Sequence, residues 1–186
     1  MRWDGLFADL EAQAEALGQA ERAAEIEDRT RSEVARLTVV DRLRGSVGSE
    51  VRLLGLGNVI LQGELRRVHS EWVLLAQPHG RESIVRVGAI LAVAGLDRAA
   101  LTAAGGSVVD ARLGLSFALR RIARDRSGVR VHLVDGVLAG TVDRVGADFL
   151  ELAVHPQGEA RRRSAVFEVS LLPLSGVVAL SRDAEF

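Results

Sequence analysis

Residues 129–152 read VRVHLVDGVLAGTVDRVGADFLEL. Apolar residues alternate along it, an Asp-Gly pair at 135–136 interrupts the alternation, and the alternation then resumes. A period of two is typical of a strand with one buried face, and Asp-Gly is typical of a hairpin turn with glycine at positive φ. Gly140 lies inside the second run, where a glycine marks a sharp bend or a close approach of two backbones. The stretch predicts strands of a small barrel rather than a catalytic site.

The same pattern occurs earlier in the chain. QGELRRVHSEWVLLA at 62–76 matches AGTVDRVGADFLELA at 139–153, which lies 77 positions later. Two further pairs of segments match in the same order: 36–44 with 112–120, and 87–93 with 174–180. Because order, spacing and turn residues repeat together, the sequence indicates one unit of a helix and five short strands, used twice.

We therefore predict an α+β, mainly β fold with two tandem five-stranded barrels, each preceded by a helix, and a long N-terminal helical arm. Closing a small sheet into a barrel removes edges that would otherwise aggregate. The predicted domains are an acidic helical arm leading into barrel one at 1–45, the first barrel at 46–96, a connector and helix at 97–127, and the second barrel at 128–182.

The N-terminal arm is acidic. Residues 1–35 hold nine acidic residues and four arginines, whereas the rest of the chain holds 16 and 20. Apolar residues recur in it at helical spacing: Leu6, Leu10, Ala14 and Leu17. We predict that this helical, coiled-coil-like arm packs on the rest of the chain or on a second copy, with Trp3 and Phe7 as candidate anchors.

The composition narrows the class of protein. The chain has no cysteine, which excludes disulfides and thiolate chemistry. No apolar run reaches the ~18 residues of a membrane helix, and the N-terminal residues do not form a signal peptide. We therefore predict a cytoplasmic protein that does not contact a membrane. All 24 basic residues are arginine, which we interpret as the codon bias of a GC-rich genome rather than as a nucleic-acid signal.

The repeated strands resemble a known family. The VRVHLVDG strand and turn, the following Gly140, and the apolar FLEL strand after Asp148 resemble the Sm-like family and the wider set of SH3-like small barrels. The resemblance implies the tandem-barrel topology. Sm-like proteins hold uracil with an Asp-x-x-Met-Asn run and carry a later Arg-Gly, whereas the corresponding stretches here are VGADFLEL and VFEVSLLPL. The family's RNA pocket is therefore not implied for this chain.

No catalytic, metal or cofactor site is predicted, and neither is a small-molecule substrate. The histidines at 69, 79, 132 and 155 have no partner at metal-ligand spacing, and no serine lies in a nucleophile-elbow context. LGLGN at 54–58 is a turn rather than a phosphate loop, because no helix follows it. We predict that the protein is not an enzyme.

Two kinds of residue are candidates for binding a partner. Arginines cluster on the second helix and in a loop that only the second copy carries: Arg120, Arg121, Arg124, Arg161, Arg162 and Arg163. Trp72 and Phe149 occupy equivalent positions, out of phase with the core residues of their strands. We predict an interaction or adaptor protein that associates with another protein or with itself. The alternative is a regulator that binds RNA or DNA through the arginines of the second barrel.

Overall fold

The computed structural model describes residues 3–96, 113–156 and 166–182. The chain divides into two compact units, Met1–Thr38 and Val39–Phe186. The first unit holds helix α1 (Trp3–Val34), and the second holds helices α2 (Val39–Arg44) and α3 (Leu115–Asp125). The second unit also holds the strands: β1 (Glu50–Gly55), β2 (Ile60–Val68), β3 (Trp72–Ala76), β4 (Glu82–Arg86), β5 (Ile90–Ala94), β6 (Gly128–Leu133), β7 (Gly136–Val145), β8 (Phe149–Val154), β9 (Glu168–Pro173) and β10 (Val177–Arg182).

The N-terminal prediction needs correction. Helix α1 ends at Val34, where the Leu37 N–H bonds the Val34 carbonyl and tightens the last turn, and α2 is a separate helix of six residues. Among the side chains of α1 that the structure describes, none is buried, and Phe7 is 56% exposed. The prediction of one long, coiled-coil-like helical arm over residues 1–45 is therefore wrong, and the side chains of Leu6, Leu10 and Ala14 lie outside what the structure describes.

The ten strands form one antiparallel sheet, in the order β5-β1-β2-β3-β4-β10-β6-β7-β8-β9. Closing each half into a barrel would require β4 to pair with β5, and β9 with β10. Instead β4 pairs with β10, so the sheet continues from the first half into the second. The predicted pair of separate five-stranded barrels is therefore wrong, and β5 and β9 lie at the two ends of an open sheet.

The internal repeat is confirmed in the local geometry. Each half has its fifth strand beside its first, followed by the second, third and fourth. A β-bulge lies between Leu65 and Arg67, and another lies 77 positions later between Val142 and Arg144. A Cβ atom on Gly140 would overlap the carbonyl oxygen of Ala153, and the equivalent glycine of the first half has the same close approach. The glycine inside the quoted stretch therefore allows two strands to cross closely, as predicted.

The hairpin in the quoted stretch differs in detail from the prediction. Its two-residue loop is Val134–Asp135, because Leu133 already pairs with Gly136. Gly136 begins β7 and is not among the glycines with positive φ. The Asp-Gly pair thus marks the hairpin without supplying the left-handed residue that we expected from it.

Helices α2 and α3 each anchor one half of the sheet. Leu43 of α2 and Leu119 of α3 are equivalent in the repeat, and both are fully buried. They lie in two separate hydrophobic cores, one for each half. Each core also includes a residue from the other half of the sheet. Ala179 of the last strand packs in the first core, and Trp72 of the first half packs in the second core.

Candidate interaction edges of the sheet

The junction between the halves shows how this sheet joins one five-stranded unit to the next. Four residue pairs align β10 with β4: Ala179 with Val85, Leu180 with Ile84, Ser181 with Ser83, and Arg182 with Glu82. Helix α3 reinforces the junction from the second half. The Leu115 N–H donates to Glu71 Oε2 at 2.7 Å, and Trp72 Nε1 donates to the Leu113 carbonyl at 2.7 Å. The carboxylate at the helix N-terminus also opposes the positive end of the helix dipole.

A polar cluster is buried at this junction. Ser83 and Ser181 are at most 3% exposed, and their hydroxyl oxygens lie 2.8 Å apart. Ser83 Oγ donates to Gln77 Oε1 at 2.6 Å, and His132 Nε2 lies 3.1 Å from Ser181 Oγ. Buried polar groups need hydrogen-bond partners, so this cluster favours one strand register over neighbouring registers.

The direction of these hydrogen bonds determines what the cluster can do chemically. Because the Ser83 hydroxyl donates to Gln77, the Ser181 hydroxyl donates to Ser83, and His132 is then the donor to Ser181. A histidine that activates a serine nucleophile must accept the hydroxyl proton instead. With this direction of donation, the hydrogen bonds of the cluster tie β10 to both of its neighbours, β4 and β6.

The cluster also predicts a pH dependence of stability. Burial, and after it the positive charge of Arg130, lower the pKa of His132 below its ordinary value of 6.5. The unfolded chain consequently takes up this proton at a higher pH than the folded protein, so stability falls as the pH is lowered through 6.5.

We expect the melting temperature of the wild type to drop between about pH 7 and pH 5 by more than that of His132→Gln, whose amide can still donate to Ser181. Thermal melts followed by circular dichroism across this range measure both slopes. Equal slopes for the two proteins would contradict the assignment.

Further polar contacts hold the junction. Arg182 lies 3.3 Å from Glu82 and 3.9 Å from Asp125. Arg86 donates to the Val177 carbonyl at 2.7 Å and to the Ser175 carbonyl at 2.8 Å, which ties β4 to the segment that leads into β10. The internal junction is therefore specified by charged and polar side chains as well as by backbone pairing.

The two free edges of the sheet are apolar by contrast. On β9, Val169 is 57% and Leu171 is 59% exposed, and on β5 Leu91 is 61% exposed. Within the described ranges, the outer side of each of these strands has no strand beside it. Soluble proteins usually protect such edges with lysine, proline, bulges or a covering element. Here Glu168 and Pro173, at the two ends of β9, are such features, but Val169 and Leu171 between them are exposed and apolar.

A cleft lies at the junction, lined by α3 and by strands of both halves. It has a volume of about 470 Å³ and combines an apolar floor, which includes Trp72 and Ile84, with a rim of both charge signs. Arg67 and Arg121 line it together with Asp125. A rim with mixed charges does not select anions, so the cleft gives no clear chemistry of its own.

The predicted arginines fall into three groups. Arg120 donates to the carbonyls of Val145 and Gly146, at 3.4 and 3.0 Å, and so braces the turn after β7. Arg121 and Arg124 are exposed on α3. The loop arginines Arg161, Arg162 and Arg163 lie outside the described residues. The structure thus brings Arg120, Arg121 and Arg124 onto one helix and gives Arg120 a bracing contact within the fold.

The predicted aromatic anchors lie in different environments. Trp72 is 7% exposed and forms part of the second core, and Phe149 is half-buried beside Gly146. Phe7 is exposed on α1, and the side chain of Trp3 lies outside what the structure describes. Trp72 is therefore a core residue that also lines the cleft at the junction.

The free edges were not among the candidate residues, although the sequence carried a signal for them. The segment VFEVSLLPL at 166–174 alternates apolar residues as the inner strands do, and the equivalence of 87–93 with 174–180 already identified both fifth strands. What the sequence did not show is which strands remain without a neighbour.

Comparison of the sequence with models of known protein families gives no match, and comparison with curated proteins also gives none. The resemblance to Sm-like proteins therefore stays a prediction. Over the described ranges no helix combines the length and apolar character needed to cross a membrane. The same residues contain no group of three or more histidine and acidic side chains placed to hold a metal ion.

Proposed function

We propose that this protein is a non-enzymatic, cytoplasmic interaction protein that binds extended polypeptide strands at the two free edges of its sheet. The observation that carries the proposal is the exposure of apolar side chains on β9 and β5. The cytoplasmic location is part of the proposal and is in keeping with a chain that has no cysteine.

Strand addition uses groups that both edges supply. An edge strand presents unpaired backbone N–H and C=O groups, and an added strand satisfies them while its alternate side chains fill apolar positions. Val169 and Leu171 are two residues apart, so they lie on the same face of β9. This row of apolar side chains favours a partner strand with apolar residues at alternate positions.

The nucleic-acid alternative receives less support from the described arginines. Of the candidate arginines that the structure describes, Arg120 already donates to two carbonyls of its own fold, whereas Arg121 and Arg124 are exposed on α3. Three further arginines, Arg126, Arg144 and Arg182, lie within 4.0 Å of the carboxylates of Asp143, Glu151 and Glu82, respectively. An arginine that pairs with a carboxylate of its own fold is less available to neutralise a phosphate.

The test uses two fluorescent peptides that copy the edges, residues 87–96 and residues 166–175. The first peptide should bind the β9 edge, and the second should bind the β5 edge. We expect Leu171→Lys to weaken binding of the first peptide by about tenfold, or about 1.4 kcal/mol, because the ammonium would have to be desolvated beside the added strand. Leu91→Lys should weaken binding of the second peptide in the same way. Fluorescence anisotropy measures both affinities.

Ile60→Lys is the matched control, because Ile60 is 58% exposed on a strand that lies at neither end of the sheet. Circular dichroism should show all three variants folded, since exposed substitutions usually change stability by less than about 0.5 kcal/mol. Failure of both peptides to bind, or equal binding by all variants, would overturn the proposal. Salt-sensitive binding of a labelled RNA or DNA that ignores the edge substitutions would favour the alternative.

A further inference from the structure

We infer that the strand bound at each edge is the opposite edge of a second copy of this chain: β9 of one copy pairs with β5 of the next, antiparallel, with Leu171 opposite Val93. This inference rests on the proposed function and names its partner.

The repeat makes β9 the equivalent of β4. Trp72 and Phe149 are equivalent, and they pair with Arg86 and Pro173, respectively. Both antiparallel pairs continue from these residues without a shift in register. Ile84 of β4 therefore corresponds to Leu171 of β9, which lies 87 positions later. The strand β9 therefore has the place in the second half that β4 has in the first.

The strand β5 is likewise the equivalent of β10. Leu53 and Val131 are equivalent because they pair with Leu61 and Leu138, which lie 77 positions apart. Val93 pairs with Leu53, and Leu180 pairs with Val131. Both fifth strands also depart from regular pairing at the same point, near Ile90 in β5 and near Val177 in β10. The offset between β5 and β10 is again 87, so each free edge is one half of a junction that the chain already forms internally.

Transferring the internal register to the free edges gives the intermolecular register without further assumption. Leu180 faces Ile84 in the internal junction, so Val93 faces Leu171 in the new one. The neighbouring pairs follow at the same offset: Ala92 with Leu172, Ala94 with Ser170, and Gly95 with Val169.

Exposure supports this assignment on both sides of the proposed contact. In the internal junction Leu115 of α3 is 5% exposed, whereas its equivalent in α2, Val39, is 57% exposed. Ile84 is half-buried against the second core, whereas its equivalent Leu171 is 59% exposed. Positions that are covered at the internal junction are thus exposed in the equivalent residues near the two ends of the sheet.

The repeat also assigns a polar contact. Glu71 accepts a hydrogen bond from the Leu115 N–H, and the residues equivalent to these two are Asp148 and Val39. Asp148 of one copy should therefore accept the Val39 N–H of the next. The serine pair and the Glu82–Arg182 ion pair have no such counterparts, because Ala94 and Gly95 stand in place of Ser181 and Arg182. The intermolecular junction is therefore the more apolar of the two.

A head-to-tail contact of this kind repeats from copy to copy, and it ends only when a ring closes or when a filament stops growing. Light scattering of the full chain should give masses above the 19.9 kDa of one copy, in a concentration-dependent manner. Leu171→Lys and Leu91→Lys should return the protein to the mass of one copy, and Ile60→Lys should not.

The register is tested by disulfide trapping, for which the chain is suited because it has no cysteine. Val93→Cys is mixed with Leu171→Cys in one sample and with Val169→Cys in a second, and both samples are oxidised. Directly opposite Cβ atoms lie about 4.5–5.5 Å apart and diagonal ones about 7–8 Å, so we expect at least about tenfold more linked dimer in the first sample. A second matched pair, Ala94→Cys with Ser170→Cys, is trapped in the same way. Hydrogen-bonded and non-hydrogen-bonded residue pairs alternate along an antiparallel ladder, so the two matched pairs together include one of each kind.

The outcomes separate this inference from the proposed function. Edge peptides that bind while the full chain keeps the mass of one copy would overturn the inference and leave strand addition standing. Equal trapping in the matched and shifted samples would overturn the register, and with it the inference. Absence of both peptide binding and higher mass would overturn both.

Discussion

Replacement of Leu119 by alanine is expected to lower the free energy of unfolding by about 3 kcal/mol. Leu119 is fully buried at the centre of α3, and its side chain fills the core between this helix and the second half of the sheet. The substitution removes buried apolar surface and leaves a cavity that a β-sheet can only partly collapse. For a chain of this size, the melting temperature should fall by about 6–12 °C.

Urea unfolding followed by circular dichroism measures this loss, and Phe117→Ala is its control on the same helix. Phe117 is larger than Leu119 but is 51% exposed, so its truncation should cost less than about 1 kcal/mol. A larger loss for Phe117→Ala than for Leu119→Ala would show that the helix packs through a different face.

Gly140→Ala is expected to destabilise the protein by about 2–3 kcal/mol, although it adds a single methyl group. The new Cβ would overlap the backbone carbonyl of Ala153 on the paired strand, and backbone cannot move aside as a flexible side chain can. Strands β7 and β8 would have to separate at this point, with loss of pairing around the bulge. Chemical denaturation gives the size of the effect.

Gly128→Ala is the matched control for this substitution. It also lies in a strand of the second half, yet a Cβ there would meet nothing within 4 Å. We expect a change within about 0.5 kcal/mol for Gly128→Ala. If the two variants melted together, the close approach at Gly140 would not be a constraint on the fold.

The sequence predicted local structure well where that structure depends only on one strand and the strand that follows it in a hairpin. Alternation fixed which side chains of β6 point inward, since Val129 and Val131 are buried while Arg130 is half-buried. The matching positions of Gly63 and Gly140 indicated the repeat, and both glycines lie at a close approach to a neighbouring strand. These features depend on residues close together in the chain or on the repeat itself.

The closure of the sheet could not be predicted in the same way. Alternation shows that a strand has one buried face, but it is satisfied equally by any neighbour that completes the ladder. Whether β4 pairs with β5 or with β10 depends on contacts such as that between Ser83 and Ser181, which are 98 residues apart. A serine in a strand pattern gives no sign of which distant serine it meets.

The candidate site shows the same division. The arginines and aromatic residues were chosen for their chemistry, whereas the exposed residues of β9 look like ordinary core positions in the sequence. Leu171 and Leu172 are adjacent leucines, and only the tertiary structure shows that the first is exposed and the second buried. The absence of a neighbouring strand is a property of the whole sheet, so no local pattern reports it.

The position of β10 as the last of the ten strands has a consequence for how the chain folds on the ribosome. The four strand pairs of the first half use residues that are made early, but β4 and the first core, which includes Ala179, must wait for a strand that is made nearly one hundred residues later. At about 5–20 residues per second, this delay is on the order of 5–20 s. During that interval β4 is itself an open edge, and it presents Glu82 and Ser83 to solvent. We therefore expect the polar residues that later hold the junction to reduce premature pairing between nascent chains on the same message.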